Sequence, residues 1–194
     1  MTIQVLRAAD RAMTPWKNGG GVTGQIAVFP DDAGLADFDW RVSLALVTDA
    51  GPFSAFPGVD RLMLVMEGRL ELEMPGADPL ILQAGGAAVE FPGDAPVSAR
   101  APASPVADVN VMVRRGRFTA SLERRAIAGA AAVVSQDVTM ILSPVDGVSA
   151  ASGGETHRLD PGDVARIDMA RGALVRLRSA VPAEVVVIHI NAVR

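Results

Sequence analysis

The chain contains no cysteine, so disulfide bridges, zinc–thiolate sites and thiol catalysis are excluded together. Tyrosine is also absent, Lys17 is the only lysine, and the two histidines, His157 and His189, stand far apart without a ligand cluster around them. Aromatic residues make up only 4% of the chain. Nearly all positive charge is therefore arginine, a bias that a GC-rich genome explains by itself. Arginine at a pocket nonetheless binds carboxylates through a two-point fork. Long apolar runs are missing as well. The apolar stretches are broken by Arg, Glu, Pro or Gly, well below the roughly 20 residues of a membrane span. The opening MTIQVLRAAD has no apolar core and does not read as a secretion signal. A cytoplasmic location with no membrane partner is expected. The net charge of −4 gives no footprint for a nucleic-acid partner.

What is present is enough apolar material for a core, 49% of 194 residues, with 21% charged. It is arranged in short alternating or continuous runs bounded by Gly, Pro and Asp, the pattern of an all-β chain with little helix. Arg69-Leu70-Glu71-Leu72-Glu73-Met74 alternates strictly, which puts Leu70, Leu72 and Met74 on a core face. Asp108-Val109-Asn110-Val111-Met112-Val113-Arg114 alternates too, with valines on one face and Asp108, Asn110, Met112 and Arg114 on the other. Further strands are expected at 22–29, 40–47, 61–66, 80–82, 87–91, 138–142, 164–168, 173–178 and 184–191. The stretch Arg117–Val134 reads as one short helix or a linking strand, and Val148–Glu155 as a small polar loop. A glycine-containing turn followed by a strand occurs near 85–94 and again near 159–168, a weak internal similarity of the kind left by a duplicated barrel.

Three clusters carry the specific signal: Trp16-Lys17-Asn18-Gly19-Gly20-Gly21 with Thr23; Trp40-Arg41-Val42-Ser43 with Gly51-Pro52-Phe53-Ser54, Phe56-Pro57-Gly58 and Arg61; and Phe91, Gly93 and Asp94 with Asp108, Asn110, Met112 and Arg114-Arg115-Gly116. In this order they resemble the HutD/Ves family, small bacterial bicupins often found with histidine-utilisation genes. The resemblance implies two jelly-roll-like β-barrel halves in one chain. We place an N-terminal barrel carrying the candidate site at 1–116 and a C-terminal cupin-like barrel at 117–194, with strand exchange between the halves left open. It also implies a non-enzymatic role in modulating histidine catabolism. Many cupins hold a metal through a His-x-His pair, a Glu and a later His. The corresponding stretches, Ser54–Gly68 and Gly86–Ala99, contain no histidine, so neither a metal nor another cofactor is expected.

The candidate ligand-binding residues are Trp16, Asn18, Gly19, Gly20, Arg41, Ser43, Arg61, Asp94, Asp108 and Asn110, and no residue is assigned a catalytic role. The glycines either bring backbone N–H groups to a ligand or form a tight turn that bends the first strand. Trp16 either stacks on a flat ligand or plugs the barrel end. Arg61 is a fork for a carboxylate, or else pairs with Asp60 or Asp94 at the surface. Arg41 and Ser43 share a strand face, as do Asp108 and Asn110, and each pair lines a cavity or faces solvent. Asp94 reads as a turn residue that can orient Arg61. Phe53, Phe56 and Trp40 read as core. His189 is expected to be hydrogen-bonded in a barrel wall, and His157 to be solvated. The leading function is binding of a small carboxylate metabolite of histidine breakdown, urocanate or N-formylglutamate. A metal-independent isomerase or hydrolase, and a protein-interaction module, are the alternatives. A homodimer is left open.

Overall fold

The computed structural model describes residues 2–100, 105–168 and 171–194. Within them the chain is all-β, and the one helical element is a 3-10 turn at Ala8–Asp10. The chain divides into two compact units, one of Ala12–Phe118 and one of Met1–Arg11 with Thr119–Arg194. The chain opens with β1 (Gln4–Leu6), which belongs to the second of these units.

The Ala12–Phe118 unit contains β2 (Met13–Pro15), β3 (Gly21–Phe29), β4 (Trp40–Val47), β5 (Gly51–Pro52) and β6 (Val59–Glu67). It continues with β7 (Arg69–Glu73), β8 (Leu80–Gln83), β9 (Val89–Pro92), β10 (Ser98–Arg100) and β11 (Val106–Arg114). These form a six-stranded sheet in the order β2-β3-β4-β11-β6-β9 and a four-stranded sheet in the order β5-β10-β7-β8. Strict alternation in β7 buries Leu70 and Leu72 and turns Arg69, Glu71 and Glu73 away from the core. Val47, Met63 and Val65 of the larger sheet pack with Leu70, Leu72, Leu82 and Ala99 of the smaller, and with Val97 just before β10, into one apolar cluster. A second cluster joins Val28, Phe38, Val59 and Met112.

The other unit adds β12 (Phe118–Ile127), β13 (Ala130–Val134), β14 (Val138–Leu142), β15 (Val148–Ser152) and β16 (Glu155–Leu159). It ends with β17 (Val164–Asp168), β18 (Leu174–Ser179) and β19 (Ala183–Ala192). The sheet orders are β1-β17-β14-β19-β12 and β13-β18-β15-β16. Ile141, Ala165, Ile167, Val185 and Val187 of the first pack with Val148, Ala150, Leu159, Val175 and Leu177 of the second. Its interior-facing core is almost wholly aliphatic.

Two segments differ from the sequence expectation. Arg117–Val134 forms neither a helix nor one linking strand but two strands, β12 and β13. Val148–Glu155 is not a loop: β15 pairs with β16 and β18, and the hairpin turns at Gly153 and Gly154, with φ of 60° and 89°. Positive φ at both central positions is what a type I′ two-residue hairpin needs. Ala and Ser have little strand preference of their own. Burial of Val148 and Ala150 between paired neighbours supplies the stability that local propensity does not.

The N-terminal segment is tied down by one acid. β1 pairs with β17, and Asp163 beside that strand is almost fully buried. Its carboxylate accepts from the Ala8 amide at 2.8 Å, the Asp160 amide at 3.0 Å and the Arg7 guanidinium at 2.6 Å. Burial by itself raises the pKa of this group, but the three donors outweigh it and hold the carboxyl below the usual range. Replacing Asp163 by Ala strands those donors and is expected to lower the unfolding free energy by roughly 2–4 kcal/mol. Urea denaturation checks this, and an unchanged midpoint would mean that the segment is held by β1 pairing alone.

Candidate functional site

The inward face of the six-stranded sheet is the face of Val47, Met63 and Val65, and its register sets side chains in three rows. Val28, Arg41, Met112, Arg61 and Phe91 form the first row across β3, β4, β11, β6 and β9. Gln25, Ser43, Asn110, Met63 and Val89 form the second. Thr23, Ala45, Asp108 and Val65 form the third. Pairing with a period of two thus turns Arg41 with Ser43, and Asp108 with Asn110, toward the interior rather than toward solvent. The opposite face of these strands is also buried, at Val42, Leu64, Val109 and Val111. A polar group inside such a sheet has to find partners or pay a desolvation cost.

Arg61 is only 5% exposed, and its guanidinium lies 5.1 Å from the centres of the Phe53 and Phe91 rings and 5.8 Å from that of Phe56. The negative ring faces stabilise a cation held away from water. Trp16 meets Phe53 edge-on at 6.4 Å and donates its indole N–H to Thr23 Oγ1 at 2.6 Å. Arg41 donates to Gln25 Oε1 at 3.0 Å and to Ser43 Oγ at 3.4 Å. Four buried polar atoms of the group have no hydrogen-bond partner: Arg61 Nε, both carboxylate oxygens of Asp108, and Asn110 Oδ1. Burial pushes the Asp108 carboxyl up to about 7, opposed by the nearby Arg61 charge. Burial lowers Arg61 to about 10, with Asp108 working against that shift and Arg41 adding to it. Arg61 therefore stays protonated at neutral pH while Asp108 changes charge there.

The remaining candidates lie elsewhere or act indirectly. Asp94 does not join the group and does not orient Arg61. It sits on an exposed turn, where its two oxygens accept from the Arg115 guanidinium at 3.2 Å, and Arg115 also holds Asp60 at 2.7 Å. Neither acid pairs with Arg61, because Arg115 takes both. Asn18 Oδ1 accepts from the Gly20 amide at 3.1 Å, which closes a tight turn with Gly19 at a φ of 75°. A Cβ at Gly21 would lie 2.5 Å from the Leu46 carbonyl oxygen and 3.3 Å from the Trp16 ring. The glycine run thus lets β3 approach β4 and seats Trp16 against it.

Three contributors were not singled out from sequence as site residues. Gln25 went unread because a bulge shifts the register between Gln25 and Ala27. Counting by twos back from Val28 assigns the inward face to Ile26. Phe53 and Phe56, read as core, do pack against the apolar clusters, and their half-buried rings also wall the guanidinium. Two surface grooves lie outside the polar rows. One, of about 490 Å³, is lined in part by Phe56, Val59 and Arg114, and the other, of about 390 Å³, by Glu73, Met74 and Ser98.

The HutD family model matches residues 8–185. The chain belongs to the HutD family. An uncharacterized 21.2 kDa protein from the hutC 3′ region of Pseudomonas putida is 35% identical over 124 residues, 62% of this chain and 63% of that one. Protein Ves of Citrobacter koseri is 37% identical over 109 residues, 55% of this chain and 56% of that one. The match thus spans less than two thirds of the length of either relative. Among solved structures, a conserved protein of unknown function from Pseudomonas aeruginosa superposes with a TM-score of 0.90 at 29% identity, over 98% of this chain and 100% of the other. HutD from Pseudomonas fluorescens superposes with a TM-score of 0.83 at 28% identity, over 100% of both chains. A cupin 2 conserved barrel domain protein from Leptotrichia buccalis, at 10% identity and a TM-score of 0.58 over 88% of this chain and 89% of the other, shows that the HutD chain has a cupin-like fold.

Cupin-type folds commonly hold a metal through imidazoles, and the inward rows of this HutD chain do not fit one. They carry two guanidinium cations, one carboxylate and no histidine. Among the described residues no group of three or more His, Asp or Glu side chains comes together. His189 on β19 shares a 3.0 Å hydrogen bond with Thr139 Oγ1. His157 lies on β16, half-buried rather than solvated, 3.5 Å from Glu155. Also among the described residues, no helix is long and apolar enough to cross a membrane.

The raised Asp108 value has a sign that stability measurements can read. The folded state holds the Asp108 proton up to about pH 7, whereas an unfolded aspartate releases it near 4. Stability is therefore highest at acid pH with respect to this group, and it is lost as pH rises between those values. The difference in unfolding free energy between wild type and Asp108→Asn is expected to move toward the variant by about 2 kcal/mol from pH 5 to pH 8. Denaturant titrations at the two pH values check it, and a pH-independent difference would place the Asp108 proton in solvent-like surroundings.

Proposed function

We propose that each unit is one half of a bicupin, and that the Ala12–Phe118 half binds a small carboxylate metabolite of histidine breakdown. Arg61 is the anchor. The observation that carries this reading is the Arg61 guanidinium, walled by three phenyl rings, with its Nε free and its strand neighbours Asn110 and Asp108 equally unpartnered. A buried arginine without a full set of partners is a pre-formed fork for a carboxylate. The half-buried Asn110 amide and the Arg41–Ser43–Gln25 chain extend the polar surface beside it. The Pseudomonas putida relative from the hutC 3′ region supports urocanate and N-formylglutamate as the first compounds to try. In this reading the protein acts by sensing or sequestering its ligand, and so modulates flux or expression in the pathway.

Thermal-shift and calorimetric titration with both compounds test it. At least one is expected to bind at millimolar levels or better. Arg61→Lys, which keeps the charge and loses the fork, is expected to weaken binding by about 10- to 100-fold. The reading is lost if neither compound raises the melting temperature, or if Arg61→Lys binds like wild type. One observation favours a metal-independent enzyme instead: Asp108, near neutrality and beside Arg61, has the acidity of a general acid or base. Loss of urocanate absorbance in the presence of wild type but not of Asp108→Asn would establish that alternative.

A further inference from the structure

We propose that β13 pairs with its own copy in a second molecule, antiparallel and centred on Ala132, to form a dimer through one continuous sheet. The proposal concerns the unit of Met1–Arg11 with Thr119–Arg194 and does not depend on the ligand reading of Arg61.

A strand at the end of a sheet leaves one row of backbone N–H and C=O groups unpaired, and chains ordinarily protect that row with charge, proline or shortness. The four sheets end on β1, β12, β5, β8, β2, β9, β13 and β16. β1 and β5 are three and two residues long. β2 and β9 end on Pro15 and Pro92. β12 carries Glu123, Arg124 and Arg125, and β16 carries Glu155 and Arg158. β8 has four residues and packs beside β6. β13, Ala130-Ala131-Ala132-Val133-Val134, has none of these devices. Among the described residues it is the one edge strand of five residues or more without a charge or a proline.

The strand is also held in shape for pairing. It is matched residue for residue with β18, and Ser179 N–H donates to Gly129 O at 3.1 Å and Ser135 N–H to Ala173 O at 2.8 Å just beyond its two ends. Apart from an isolated bridge between Ala130 and Ala128, it pairs among the described residues with β18 alone. Alternation turns Ala131 and Val133 toward the aliphatic core and leaves Ala130, Ala132 and Val134 exposed on the outer face. Leu174, the β18 neighbour of Val134, is 50% exposed on that same face.

A second copy fits this edge because the strand is complementary to itself. With a two-fold axis through Ala132, Ala130 faces the partner's Val134, Ala131 faces the partner's Val133, and Ala132 faces the partner's Ala132. Each small side chain meets a small or branched one, and inward residues meet inward ones. Like charges are not brought together. Arg176 and Arg178 stand beside Ala132 and Ala130 on β18. Arg176 then lies three strand spacings, roughly 14 Å, from the partner's Arg176, beyond the screening length of about 8 Å at physiological salt. An unrelated strand would find no charged or large side chain on β13 to select it. The contact is small next to the roughly 1,200–2,000 Å² of a standard stable interface, so a reversible dimer is expected, half-dissociated at about 10–500 μM.

Sedimentation equilibrium of the full chain from about 5 μM to about 1 mM is expected to show monomer passing into dimer. Ala132→Lys sets a charge on the open edge and is expected to raise the dissociation constant at least about 10-fold. Because the chain has no cysteine, single cysteines report the register. Ala132→Cys is expected to form a disulfide-linked dimer under mild oxidation, since its Cα stands about 4.5–5.5 Å from its copy. Ala130→Cys, more than about 10 Å from its own copy, is not. A wild type that stays monomeric throughout overturns the proposal and leaves the edge to a strand of another protein. A dimer that Ala132→Lys does not weaken also overturns it, because another surface then holds the two copies. Equal cross-linking of the two cysteine variants overturns the register centred on Ala132. Should Ala132→Lys fail to fold, the wild-type equilibrium and the cysteine pair decide.

Discussion

The Ala12–Phe118 unit is organised around a charge kept out of water. A guanidinium in the interior of a β-sheet unit is tolerated only if its surroundings replace the solvation it lost, and the chain supplies several replacements at once. Phe53, Phe56 and Phe91 turn their rings toward Arg61, Asp108 balances it electrostatically, and Met112 and Met63 fill the neighbouring positions. Because both faces of the central strands are buried, the polar rows cannot relax toward an outer surface. Their unpartnered atoms are a property of the interior.

The scaffold around Arg61 explains features that look unrelated in sequence. Gly21 must lack a side chain so that β3 can lie against Leu46 under the Trp16 ring. Trp16, held there and bonded to Thr23, meets Phe53, and Phe53 meets Arg61. Arg115 gathers Asp60 and Asp94 on the outside, next to the β6 strand that carries Arg61 inward. The second unit shows the contrasting design. Its core cluster is aliphatic, and its buried acid, Asp163, is fully engaged in holding the N-terminal segment.

Much of the fold was legible because its strands announce themselves. The segments 138–142 and 164–168 were read to the residue, since β-branched runs bounded by Gly, Pro and Asp leave little choice. Among the strands that escaped, β1, β2, β5 and β10 are only two or three residues long, and β12, β13, β15 and β16 are rich in Ala, Ser, Arg and Glu and exist because neighbours pair with them. The candidate site was legible as a set of residue types in a recognisable order, and less so as an arrangement. Asp94 looked like a partner for Arg61 until Arg115 was seen to hold it, and the bulge at Gln25 hid a member of the polar rows.

By itself the sequence determined the all-β class, the HutD family signature, and the absence of any thiol or clustered imidazole chemistry. These follow from residue identities and from the period of two, which need no partner strand to be read. Tertiary structure decided which face of each strand became the interior, which charges Arg61 faces, and which polar atoms are left without partners. Alternation defines two faces but does not say which one is buried, and side-chain contacts depend on a register between strands far apart in the chain.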